Sequence, residues 1–142
     1  MGPGVGILIP EWPPAQLPAL RERFAQRAAS VSVGPKPFGD GELWHLRFGD
    51  TESDPYIHFS VGPNFGDADG LDENALGWRP VGLAELYGFK SGDYRRTIDE
   101  IAWLASETAE RLGGVVMLEK DFEYATAEEY RQLASQPDFE IP

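Results

Sequence analysis

Residues 91–120 read SGDYRRTIDEIAWLASETAERLGGVVMLEK, and they decide the fold. Asp93 is suited to cap a helix, because its carboxylate can accept a bond from a first-turn N–H that has no partner inside the helix. Ile98, Ile101, Ala102, Ala105, Ala109 and Leu112 recur at three- and four-residue steps, the spacing of one buried helical face. Gly113-Gly114 stops the helix, since glycine enters the left-handed C′ conformation without a Cβ clash. Val115 to Leu118 follows at once as an apolar run, which reads as a short buried strand. A strand over Val81–Lys90, just before the helix, completes a parallel strand–helix–strand crossover.

Upstream, Glu42–Phe48 and Tyr56–Val61 alternate apolar and polar residues with period two, joined by the polar loop GDTESD. An antiparallel hairpin centred on that loop sets Trp44 opposite Phe59 and Leu46 opposite Ile57, so both apolar faces agree. The same register puts His45 beside His58 and Arg47 beside Tyr56 on the outer face. Two imidazoles across strands are the beginning of a divalent-metal site or a pH switch. Their outward neighbours Leu43, Arg47, Tyr56 and Ser60 supply no third ligand, and Arg47 would repel a cation. Cross-strand surface packing is the preferred expectation, with no metal and no cofactor. His45, Arg47, Tyr56 and His58 are nonetheless the face that a small ligand or substrate would use.

The remaining elements are simpler. Val5–Ile9 is a first strand, and Pro13-Pro14 turns the chain into a helix over Ala15–Ala29. Leu17, Leu20, Phe24 and Ala28 form its apolar stripe, while Arg21, Arg23, Gln26 and Arg27 read as a solvated face, since no aromatic interleaves with them. Val31–Val33 is a further strand. Thr126 with Glu129 three residues on is a capping box that opens a short helix to about Ser135. The expected fold is α+β: a mainly antiparallel sheet with two long helices on one face, a ferredoxin-like plan with extra strands. Residues 1–120 form the domain, and 121–142 form an acidic helical extension packed on it.

A chain of 142 residues with 42% hydrophobic and 12% aromatic content is long enough and apolar enough for one real core. Its 24 acidic and 12 basic residues leave a net charge of -12, which repels phosphate backbones and anionic membrane surfaces. The absence of cysteine removes disulfides, thiolate zinc sites and thiol nucleophiles. The N-terminus has no signal-peptide pattern and no run reaches the roughly twenty apolar residues of a bilayer span, so a cytoplasmic protein is expected. Neither GxSxG nor a phosphate-cradling GxxxxGK[ST] or GxGxxG follows a strand, so an enzyme is not expected.

The acidic stretch PNFGDADGLDENALG, residues 63–77, gathers Asp67, Asp69, Asp72 and Glu73. With Gly70 at position six of a calcium loop, Phe65 and Leu76 fall at positions one and twelve, so that template fails. Long irregular loops are uncommon unless they serve contact or motion, which makes Asp67, Asp69, Asp72, Glu73 and the following Trp78 the expected partner-binding set.

GWRP at residues 77–80, the helix DYRRTIDEIAWLASETAERLGG and the following VVML resemble an uncharacterised group of small acidic bacterial proteins of actinobacterial type. That group is similar to the immunity proteins that neutralise toxins of competing bacteria. The resemblance implies a cytoplasmic inhibitor that binds a basic toxin domain directly, and it carries over no functional residue. The alternative is a small-ligand-binding domain or enzyme built on the face around His45 and His58.

Overall fold

The computed structural model describes residues 2–64, 76–89, 93–118 and 123–142. Seven strands form one sheet: β1 (Gly4–Ile9), β2 (Ser30–Pro35), β3 (Glu42–Arg47), β4 (Tyr56–Pro63), β5 (Gly82–Gly88), β6 (Val115–Met117) and β7 (Tyr124–Ala125). Their spatial order is β2-β3-β4-β5-β1-β6-β7, and every neighbouring pair is antiparallel. Three helices accompany it among the described residues: α1 (Leu17–Arg27), α2 (Tyr94–Leu112) and α3 (Ala127–Ala134). The fold is α+β with the sheet antiparallel throughout. Only α2, at 19 residues, is long; α1 has 11.

The caps of α2 follow from its sequence. Asp93 accepts from the Arg96 N–H at 3.0 Å, and Gly113 ends the helix in the left-handed region at φ 67. Beyond it β6 lies beside β1, not beside β5. Because β5 and β6 are each antiparallel to β1, they run parallel to one another with β1 inserted between them. The expected crossover therefore keeps its direction and loses its adjacency. A local pattern reports how the chain reverses, whereas the occupant of the gap comes from the far end of the sequence.

The hairpin register is the expected one: Trp44 faces Phe59, Leu46 faces Ile57, His45 faces His58 and Arg47 faces Tyr56. Phe24 of α1 meets Trp44 and Phe59 edge-to-face at 5.7 and 5.4 Å, and those two rings lie tilted 4.6 Å apart, which fastens α1 to the inner side of β3 and β4. On β5 the inward residues are small, namely Gly82, Ala84 and Gly88 with Leu86. A Cβ at Gly88 would meet Thr97 Cγ2 at 2.7 Å and Ile101 Cδ1 at 2.9 Å, so α2 rests directly on the backbone there. The bulky residues of β5 (Leu83, Glu85 and Tyr87) are consequently turned to the other side.

Arg21 and Gln26 of α1 are exposed as expected, but the other two arginines also engage a second helix. Arg23 and Arg27 lie over the Trp103 ring of α2 at 5.4 and 4.7 Å, and they pair with Glu107 and Glu100. The aromatic partner was invisible locally because it comes from another helix. The C-terminal segment adds β7 to the sheet and α3 to the helical side, and it buries Ala125, Tyr130 and Ile141 in the common core. Thr126 and Glu129 form the reciprocal capping box of α3.

Candidate functional site

The helices cover one side of the sheet, and the other side carries the outward residues of β3, β4 and β5. Period two and the register place Arg47 and His45, Tyr56 and His58, and Glu85 and Tyr87 in neighbouring rows, with Phe89 just past β5 opposite Tyr56. Tyr56 is the centre of this group. Its hydroxyl lies 2.7 Å from His45 Nδ1 and 2.9 Å from His58 Nε2. The Arg47 guanidinium sits 4.1 Å over its ring from the β3 side, and the Phe89 ring stacks at 4.9 Å from the β5 side.

A phenol has one proton to give. It donates to one imidazole and accepts an N–H from the other; because the contacts use Nδ1 of His45 and Nε2 of His58, two neutral rings in this arrangement carry the same tautomer. Their rings are 4.3 Å apart. Burial, then the charge of His45 and that of Arg47, holds the His58 imidazole below its ordinary 6.5. On the same face Tyr87 donates to Glu85; burial first, then that bond and the Glu85 charge, pushes its phenol up to about 12.

At one end of this face a cleft of about 980 Å³ opens. Arg47, Tyr56 and Phe89 form the side shared with the sheet. The hairpin loop 51–54 forms another, and Tyr94, Thr97, Pro3 and Ile141 close the rest. These walls are tied together. Asp54 accepts from Arg96 of α2 and from the Thr51 N–H and hydroxyl at 3.0 and 2.9 Å, while Arg96 also donates to the Phe48 carbonyl at 3.0 Å. The Arg96 bond above all, then those from Thr51, brings the Asp54 carboxyl down to about 2. Gly49 leaves room for this arrangement, since a Cβ there would meet Asp54 Oδ2 at 2.0 Å. Across the cleft, Tyr94 donates to the Ile141 carbonyl at 3.2 Å, Arg95 to Phe139 at 2.8 Å, and the Gly4 N–H to Pro142 at 2.9 Å.

His45, Arg47, Tyr56 and His58 are thus brought into one cluster, but only Arg47 and Tyr56 reach the cleft. Phe89, Tyr94 and the loop 51–54 are additions that sequence reasoning did not nominate. The alternation of Leu83, Glu85, Tyr87 and Phe89 was a signal for β5; its outward direction depended on how closely α2 approaches. Asp67, Asp69, Asp72 and Glu73 lie outside the described residues. Trp78 is half-buried just after that stretch, where the described Asn64 donates to the Val81 and Pro80 carbonyls. That contact is at the Pro63 end of β4 and the cleft at its Tyr56 end, roughly 25 Å apart for a strand of this length.

Among the described residues no group of three or more histidine, aspartate or glutamate side chains is placed to hold a metal ion, and no helix is long and apolar enough to cross a membrane. Compared with known proteins, the chain matches no family model, no curated protein and no solved structure.

Proposed function

We propose that this protein is an acidic cytoplasmic binding protein of the immunity type, which neutralises a basic bacterial toxin domain by direct contact and not by catalysis. The observation that carries this reading is the charge: -12 over 142 residues, on a chain most of whose arginines are already paired with its own acids. Arg23, Arg27, Arg95, Arg96, Arg111 and Arg131 are all held in internal ion pairs. Such a surface accelerates encounter with a cationic partner and discourages nucleic acid. Asp67, Asp69, Asp72 and Glu73 are the proposed contacts, and Trp78 is the aromatic anchor beside them.

The test is association with a panel of basic nuclease toxin domains at low and high salt. A cognate pair should associate at least tenfold faster at low salt, and reversing Asp67, Asp69, Asp72 and Glu73 to lysine should abolish that acceleration. Tight binding that survives the fourfold reversal with its salt dependence unchanged would remove these residues from the interface.

A further inference from the structure

We infer that the cleft at the Tyr56 end of the sheet binds a small carboxylic acid with a flat apolar body, its carboxylate gripped by Arg47. The guanidinium of Arg47 is the starting point. It stacks 4.1 Å over the Tyr56 ring and makes no side-chain hydrogen bond or ion pair among the described residues, although it lines the same cleft as two acids. Asp54 is already engaged by Arg96 and Thr51, and Glu52 does not turn to Arg47. In a chain with twice as many acids as bases, an arginine left with its donor fork unspent is available to an anion from outside.

Its platform is rigid in advance of any ligand. Both histidines hold the Tyr56 hydroxyl from the sheet side, and Phe89 stacks on the same ring, so neither Tyr56 nor the arginine lying on it needs ordering on binding. The other walls, Phe89, Tyr94 and Ile141, are apolar and suit a ring or a short hydrocarbon chain. A volume of about 980 Å³ is at the upper end of the range for small-molecule pockets. A single guanidinium in a cleft also lined by Glu52 and Asp54 matches one negative charge better than two, which selects a carboxylate over a phosphate dianion. The site uses none of the residues of the toxin contact proposed above, and it lies at the Tyr56 end of β4, whereas the described residues that flank that contact lie at the Pro63 end.

The experiment titrates the whole protein with 3-phenylpropionate, its neutral amide 3-phenylpropionamide, and inorganic phosphate, followed by amide chemical shifts and calorimetry. The acid should shift residues 47–56 and the neighbourhood of Phe89 and bind at least tenfold more tightly than the amide and than phosphate. Arg47→Gln should weaken the acid about tenfold or more, and Arg47→Lys by an intermediate factor, because lysine keeps the charge but loses the fork. Arg21→Gln, a change on α1 away from the cleft, should leave binding unaltered. Equal affinity for acid and amide, equal loss in the Arg21 variant, or an Arg47→Gln protein that melts like the wild type and binds undiminished would each overturn the proposal.

Discussion

The hydroxyl of Tyr56 lies between two imidazoles at 2.7 and 2.9 Å, and His58 is also a pH-sensitive group. Among the described residues, the charged and titratable side chains facing His58 are Tyr56 on its own strand, His45 and Arg47 from β3, and Tyr87 and Glu85 from β5 on the other side. Because the folded His58 binds its proton less readily than the unfolded chain, stability should fall as pH drops through the ordinary 6.5 toward the lowered folded value. Asp54 acts in a separate window. Its carboxyl is lowered from 3.8 to about 2, so its contribution is complete above the unfolded value and is lost as pH falls between those two values. Calorimetric melts across the acid range should show both declines, with His58→Gln flattening the upper one and Asp54→Asn the lower. An unchanged slope just below neutrality in His58→Gln would contradict the assignment. The pairing of His45 with His58 and of Arg47 with Tyr56 was legible from period two alone. That Tyr56 serves both histidines was not, because a hydroxyl's reach across a strand depends on twist and rotamer.

Among the elements, the three helices meet at Glu107 of α2. Its carboxylate is 7% exposed and faces Arg23 of α1 at 3.4 Å, Arg111 at 3.2 Å and Arg131 of α3 at 3.7 Å. Arg131 is also bound by Glu110 at 3.1 Å, which keeps α3 tied to α2 by a second route. Replacing Glu107 with glutamine leaves three cations around a neutral amide. Water reaches the arginines, which are about 40% exposed, so the expected cost is roughly 2 kcal/mol and not the full penalty of a buried pair. Urea midpoints at unchanged slope will measure it, and a shift below about 0.5 kcal/mol would demote the cluster to surface decoration. The helical caps and the 3.6-residue stripe of α2 were readable in advance, since both are local. The Arg23–Arg27–Trp103 seam joins residues about 80 positions apart, and no window along the chain contains it.

Over the whole molecule the described C-terminal residues return to the first strand and to the start of α2, and in doing so they close one wall of the cleft. Ile141 is 3% exposed at that closure. Ile141→Ala should cost about 2 to 4 kcal/mol by leaving a cavity, and in guanidinium unfolding the loss should appear in the single global transition if the segment belongs to the common core. A separate early transition for residues 123–142 would show instead that they are a detachable layer. The sequence by itself determined the α+β class, both principal helices, the hairpin register and the strongly negative charge, because caps, turn residues and hydrophobic periods act over a few residues. Tertiary structure alone decided that β1 lies between β5 and β6, that Arg23 and Arg27 cover a tryptophan, and that Arg47 lines a cleft without pairing with either acid there. Those features depend on which distant surfaces pack together, and packing is settled by the summed fit of the whole core rather than by any one stretch of it.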